Sequence, residues 1–316
     1  MYLTDVKGIK VGHANNQATG LTVIIPPKGT VCAVDVRGGG PGTRETDLLD
    51  PKNMVQGVDA IMLTGGSAYG LNAAAGVMKY LEEENRGVDV GLGIVPVVSG
   101  AVIFDLAYKD YKTRPDAEMG YEAAKNASEK ENRLGNVGVG LGATVGKILG
   151  MESAMKGGLG SYTIKVGQVT ISALSVVNSF GDIFEDGKKI AGAINKKTKE
   201  FYNPKEILKL MEENKEKYFK GTNTTLSVLA TNVKLNKTQA EKVANVAHNG
   251  YAMSIFPVHT QYDGDTVFVL STGQVEADPT LVQALGSICV KNAIISGVKN
   301  AKTEEGYLAM EDLWEF

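Results

Sequence analysis

Glycine constrains this chain more than any other residue. Thirty-eight of its 316 residues are glycine, against roughly 7% in an average protein. A residue without a Cβ is used where the backbone turns sharply or where two backbones touch. The surplus therefore predicts many tight turns or close backbone approaches. The glycines gather in blocks, such as Arg37-Gly38-Gly39-Gly40-Pro41-Gly42, Gly65-Gly66-Ser67-Ala68-Tyr69-Gly70 and Gly138-Val139-Gly140-Leu141-Gly142.

Between the blocks, strand-like and helix-like segments alternate. Leu21–Ile25, Val31–Val36, Ala60–Leu63, Thr225–Thr231 and Thr266–Leu270 are rich in Val, Ile, Leu or Thr and read as strands. Thr163–Ser172 alternates as a half-buried strand should, and Ser175–Asn178 leads into a turn at Ser179-Phe180-Gly181. Helical spacing predicts helices over Tyr69–Glu84, Asp116–Glu131, Lys205–Tyr218 and Lys237–Ser254, with a long one from Asp278-Pro279 to about Val298. The Lys- and Glu-rich stretch Asn195–Thr224 reads as a solvated segment that would also tolerate a cut.

Composition removes several classes of function. Lys and Arg total 33, Asp and Glu 36, and the net charge of -3 argues against a polyanion as main partner. With 43% apolar and 22% charged residues the chain has a core to bury and is not disordered. Cys32 and Cys289 are too few for a disulfide framework or a cysteine-rich zinc site. The start, Met1-Tyr2-Leu3-Thr4-Asp5, lacks the features of a signal peptide, and the longest mostly apolar stretch, about Gly91 to Phe104, is too short to cross a bilayer. A cytoplasmic protein without membrane or nucleic-acid partners is the expectation.

The phosphate-binding motifs fail on context. Gly138–Ala143 fits G-x-G-x-x-A, but no convincing helix follows, so a strand–turn–strand is expected there. Gly146-Lys147 lacks the rest of a phosphate loop. His13, His248 and His259 have no ligand spacing, so no metal is expected and His248 and His259 read as structural. Gly65-Gly66-Ser67-Ala68-Tyr69-Gly70 is not the serine elbow of an α/β-hydrolase.

A different nucleophile remains possible. A threonine hydroxyl is inert without a base, and its own α-amine, with a reference pKa of roughly 7.7–8.0, can serve once the residue is N-terminal. Gly221-Thr222-Asn223-Thr224-Thr225-Leu226 follows a polar segment and opens a strand, as a cut before Thr224 would require.

Taken together, these blocks make the chain resemble the self-processing L-aminopeptidase/D-amino-acid esterase family, with its β-peptidyl aminopeptidases and 6-aminohexanoate-oligomer hydrolases. The resemblance runs in order through Asp35–Asp47, Leu63–Leu71, Gly135–Lys147, Lys156–Gly160, Val177–Gly181, Asn223–Thr225 and His259–Phe268. It implies an α+β single domain over 1–316, folded as a four-layer αββα sandwich resembling N-terminal nucleophile hydrolases with different connectivity. It implies self-cleavage between Asn223 and Thr224 into an α fragment 1–223 and a β fragment 224–316. Thr224 would be the nucleophile and its freed amine the base. Asp263 and Asp265 would position and charge-balance Thr224, Asn178 would supply an oxyanion donor, Lys156 would depress the amine pKa, and Tyr69 would touch substrate. Small peptides, amino-acid amides or oligoamides are the implied substrates, with no cofactor, and a homo-oligomer, a tetramer of processed protomers, the implied assembly. Asn-Thr at the cut with Asp263-Gly264-Asp265 downstream looks closer to the oligoamide hydrolases. An acyltransferase with the same nucleophile, or an unprocessed binding protein on the same fold, are the alternatives.

Overall fold

A computed structural model describes residues 1–213 and 223–313. Two five-stranded sheets dominate it. The first contains β1 (Lys10–Asn15), β2 (Gly20–Ile25), β4 (Thr43–Arg44), β5 (Ala60–Thr64) and β6 (Val98–Val102), in the order β1-β2-β5-β6-β4. The second contains β3 (Val31–Val36), β7 (Leu159–Val166), β8 (Val169–Asn178), β9 (Thr224–Val233) and β10 (Thr266–Val275), in the order β7-β8-β9-β10-β3. Only β5/β6 and β9/β10 pair in parallel within these two sheets. The helices are α1 (Ala74–Glu83), α2 (Ala117–Lys125), α3 (Pro204–Glu213), α4 (Lys237–Ala247), α5 (Asn249–Ala252) and α6 (Pro279–Lys299).

Strand alternation creates three apolar interiors. From β9, Leu226, Val228 and Ala230 point toward the first sheet, where they meet Ile24, Ile61 and Leu63. Leu229 and Val233 point the other way, onto Val243 of α4 and Val290 and Ile294 of α6. Across the first sheet, Val23, Ala60 and Met62 pack on Ala74, Val77 and Leu81 of α1 and Ala123 of α2. Burying each such Val, Leu or Ile stabilises the fold by about 1.5–3 kcal/mol.

The glycine surplus is used largely for contact. A Cβ on Gly76 of α1 would lie 1.6 Å from the Ala117 carbonyl oxygen, and one on Gly120 of α2 would lie 2.0 Å from that of Ala73. These two helices therefore touch backbone to backbone.

Several boundaries differ from the sequence reading. The alternating run Thr163–Ser172 is two strands, turned by Gly167 at φ +57° between Val166 and Val169. The helix read over Tyr69–Glu84 begins as a 3-10 turn, Ser67–Ala73. The one read over Asp116–Glu131 is capped by Asp116, whose carboxylate accepts the Met119 amide at 2.9 Å, but it stops at Lys125. Beyond it Ser128 pairs with Val11 of β1 and draws the chain away. The helix read over Lys237–Ser254 breaks at His248. Of the strand–turn–strand expected at Gly138–Ala143, the turn is a 3-10 turn, Gly138–Gly140, and a short strand follows at Thr144–Val145. The expected helix over Lys205–Tyr218 is described only as far as Glu213, and its remainder, with Gly221-Thr222, lies outside the described residues. Among the described residues one helix, α6, is long and apolar enough to cross a membrane. Here Val282, Cys289, Val290, Ala293 and Val298 bury it against the second sheet and α4.

Candidate active site

The central strand of the second sheet begins at Thr224, directly opposite Asn178, the last residue of β8. Thr224 is buried. Its hydroxyl Oγ1 donates to the carbonyl oxygen of Asn223 at 2.5 Å. The Gly264 amide donates to the same oxygen at 2.8 Å. That oxygen thus sits between two donors, at the bond where the sequence suggested a cut. Position 264 must be glycine for this geometry, because a Cβ there would lie 2.7 Å from Thr224 Oγ1. Asn223 is further tied down through its amide and Nδ2, which both donate to the Tyr262 carbonyl at 3.3 and 3.4 Å.

The two aspartates divide their work. Asp265 Oδ1 accepts the Thr225 amide at 2.8 Å. Its Oδ2 accepts the His259 amide at 3.2 Å and lies 2.9 Å from His259 Nδ1. Asp263 Oδ2 accepts the amide and hydroxyl of Thr260 at 2.9 and 2.7 Å. Residues 263–265 lead into β10 just outside the strand, and the two carboxylates hold different groups. Burial, and then the charge of Asp265, push the Asp263 carboxyl up to about 6.

The loop Arg37–Gly40 lines this turn with backbone. The Arg37 and Gly38 amides donate to the Asp265 carbonyl at 2.9 and 3.2 Å, that of Gly39 to Thr260 at 3.1 Å, and that of Gly40 to Asp263 at 2.8 Å. Beneath the sheet, the Tyr251 hydroxyl is within 3.1 Å of the Thr225 carbonyl, and within 3.0 Å of Ser227 Oγ and the Thr266 carbonyl.

Asn178 is held on every side. Its Oδ1 accepts the Thr144 amide at 3.1 Å and Lys147 Nζ at 2.7 Å, and its Nδ2 donates to the Phe104 carbonyl at 3.1 Å. Lys147 Nζ also donates to the Asn178 carbonyl at 2.9 Å. Burial pushes this ammonium down to about 7, against the pull of Asp263 and Asp105.

Lys156, the lysine expected at the site, is fully buried. Its Nζ donates to the carbonyls of Gly140, Ala143 and Gly157 at 3.1, 2.9 and 3.0 Å. An ammonium has three protons to donate, so Lys156 spends all of them on the glycine-rich turn. Lys147, not Lys156, is the lysine bonded to Asn178. Tyr69 is 52% exposed and carries the Arg114 guanidinium 3.4 Å over its ring. Lys147, Gly264 and Tyr251 are residues here to which sequence reading gave no role, and His259, read as structural, holds Asp265. A lone lysine inside the apolar, glycine-rich run Gly135–Leu149 was the available signal for the first, since a buried ammonium must find partners.

The family model described as Peptidase family S58 matches residues 2–310. The chain belongs to peptidase family S58. This S58 chain is a hydrolase, and its relatives agree. It is 41% identical to an uncharacterized aminopeptidase of Mycobacterium bovis over 99% of this chain and 97% of that protein. It is 31% identical to the 6-aminohexanoate-oligomer endohydrolase of Paenarthrobacter ureafaciens, over 98% and 83%. Among solved structures, the S58 chain resembles an L-aminopeptidase D-Ala-esterase/amidase from Ochrobactrum anthropi, described as a variant of the Ntn-hydrolase fold, with a TM-score of 0.73, 18% identity and coverage of 99% and 92%. A Burkholderia sp. β-aminopeptidase is similar at a TM-score of 0.71, 17% identity and the same coverage. The fold is thus Ntn-hydrolase-like, with mixed α and β content.

Proposed function

We propose that this chain is an N-terminal threonine amidohydrolase that activates itself by cutting between Asn223 and Thr224. The observation carrying this reading is the Asn223 carbonyl oxygen, which accepts both the Thr224 hydroxyl at 2.5 Å and the Gly264 amide at 2.8 Å. Thr224 Oγ1 attacks the Asn223 carbonyl carbon. The displaced electron pair moves onto the oxygen, where the Gly264 N–H stabilises it as an oxyanion. The Asn223–Thr224 C–N bond then breaks, the hydroxyl proton ends on the departing nitrogen, and an ester remains on Oγ1. Water hydrolyses the ester, which leaves a carboxylate on Asn223 and a free Thr224 with its own amine.

The mature site repeats this chemistry on substrate. The Thr224 amine, with a reference pKa of roughly 7.7–8.0, takes the hydroxyl proton. Asp265 keeps the start of β9 in place through the Thr225 amide. Asn178, opposite Thr224 in register, has a second amide hydrogen with which to meet the substrate oxyanion. Lys147, bonded to Asn178, supplies the positive potential the reaction needs. Small peptides, amino-acid amides or oligoamides are the substrates. The packing of helices α1 and α2, the two sheets, and helices α4 and α6 supports a four-layer αββα arrangement, and processed protomers assemble as a tetramer.

A time course on freshly purified protein tests the proposal. The single band divides into two as amide hydrolysis appears, and Thr224→Ala abolishes both. A chain that hydrolyses amides while remaining whole contradicts it.

A further inference from the structure

We infer that His259 is a positioning residue: a neutral imidazole, protonated on Nδ1, that holds Asp265 in place as the anchor for the amino-terminal end of β9. The inference deepens the reading of Thr224 as nucleophile and rests on it.

The Asp265 side chain is 1% exposed. A carboxylate this deep requires donors around it. Thr225 occupies Oδ1, while both donors on Oδ2 come from His259, the backbone amide at 3.2 Å and Nδ1 at 2.9 Å. To bring both to one oxygen, His259 adopts φ +55°, a left-handed conformation uncommon outside glycine. Such backbone strain persists where surrounding structure over-determines it, often at functional sites.

The tautomer follows from the partners. A carboxylate oxygen accepts, so Nδ1 carries the proton. Nε2 is buried and has no hydrogen-bond partner among the described residues. A second proton there would be a charged donor left unmet.

The neighbouring groups agree. The His248 ring stands edge-on to His259 with centroids 4.8 Å apart, and the Tyr251 ring lies 5.5 Å away. His248 Nε2 lies 3.1 Å from the Asp35 carbonyl oxygen, which can only accept, so His248 is protonated on Nε2. Burial pushes the His248 imidazole down to about 4, so it brings no charge. The Asp35 carboxylate is taken by Arg37 Nε at 2.7 Å. Asp263 is turned to Thr260. Asp265 is therefore the charged group that His259 serves. The charge of Asp265 in turn raises the Asp263 carboxyl.

Long-range 1H–15N spectra of the labelled full-length protein test the tautomer, with signals assigned through His259→Asn. The expected result is His259 as the Nδ1–H form and His248 as the Nε2–H form, both neutral at pH 7. His259 found as the Nε2–H form, or as an imidazolium at pH 7, overturns the inference. The kcat of amide hydrolysis at pH 7, measured beside a thermal melt, supplies a second readout. His259→Ala removes a charge-assisted donor from Asp265, so kcat falls about tenfold or more. His259→Asn puts an amide N–H where Nδ1 stood and restores kcat to near that of the parent protein. A folded His259→Ala with unchanged kcat refutes the positioning role. Should His259→Ala fail to fold, the spectra of the unsubstituted protein decide. Turnover by Thr224→Ala would sink the nucleophile assignment while leaving the tautomer result standing.

Discussion

Substituting Gly264 by alanine separates chemistry from stability at one atom. A Cβ at this position would lie 2.7 Å from Thr224 Oγ1, 3.0 Å from the Gly40 carbonyl oxygen and 3.4 Å from Pro41 Cα. The first distance is about 0.7 Å or more inside ordinary contact. The residue has no positive φ to forbid a side chain. The atom that yields most easily is the threonine hydroxyl, which turns about χ1, while Gly40 need move only by tenths of an ångström. The fold is therefore expected to lose only about 1 kcal/mol, at the low end of overpacking costs. The hydroxyl, however, is driven from its place 2.5 Å from the Asn223 carbonyl oxygen. A misplacement approaching 1 Å at a reacting centre costs on the order of 10²-fold in rate. Gel time courses of the purified precursor, with thermal melts alongside, measure both quantities. Gly264→Ala that folds normally and cuts at the parent rate refutes the assignment of this hydroxyl.

Three further outcomes are expected. Lys147→Met removes the ammonium from Asn178 and slows self-cutting and turnover on the order of 10²-fold, read from the same time courses, whereas Lys156→Met acts chiefly on stability. Asp263 is held at about 6 against an ordinary 3.8, so proton binding favours the fold; that contribution is fully present below 3.8 and is lost as pH rises through 6. Activity that depends on the ionised carboxylate runs the opposite way and falls as pH drops below about 6, a limb that Asp263→Asn removes from the kcat/KM profile. Tyr251→Phe removes the single donor shared among the Thr225 and Thr266 carbonyls and Ser227 Oγ, and costs about 1–3 kcal/mol, measurable by urea unfolding.

How much of this was legible depended on the range of the interaction. Asn223-Thr224-Thr225 stands at the start of a strand in the sequence and in the structure, because polar-to-apolar transitions mark strand ends locally. The start of the helix at Asp116 was equally local. The end of that helix was not, since pairing of Ser128 with Val11 comes from more than a hundred residues away. Gly167 in a continuous alternating run signalled a hairpin, but alternation survives a two-residue turn and so conceals it. The two lysines show the limit most clearly. Lys147 and Lys156 both follow or precede glycine and both are buried. Only the register that ends β8 at Asn178 decides which ammonium meets it. Arg37-Gly38-Gly39-Gly40 was readable as a glycine block where backbones approach, yet its target, the backbone of residues 260–265, is more than two hundred residues distant. The histidines lack ligand spacing and read as structural; the partner of His259, a carboxylate six residues ahead across a left-handed turn, comes only with the fold.

Amino-terminal sequencing of fully active enzyme probes the central claim most directly. Two sequences should appear in equal amounts, one of them Thr-Thr-Leu-Ser-Val from residue 224. Active protein yielding no amino terminus at Thr224 would contradict the account.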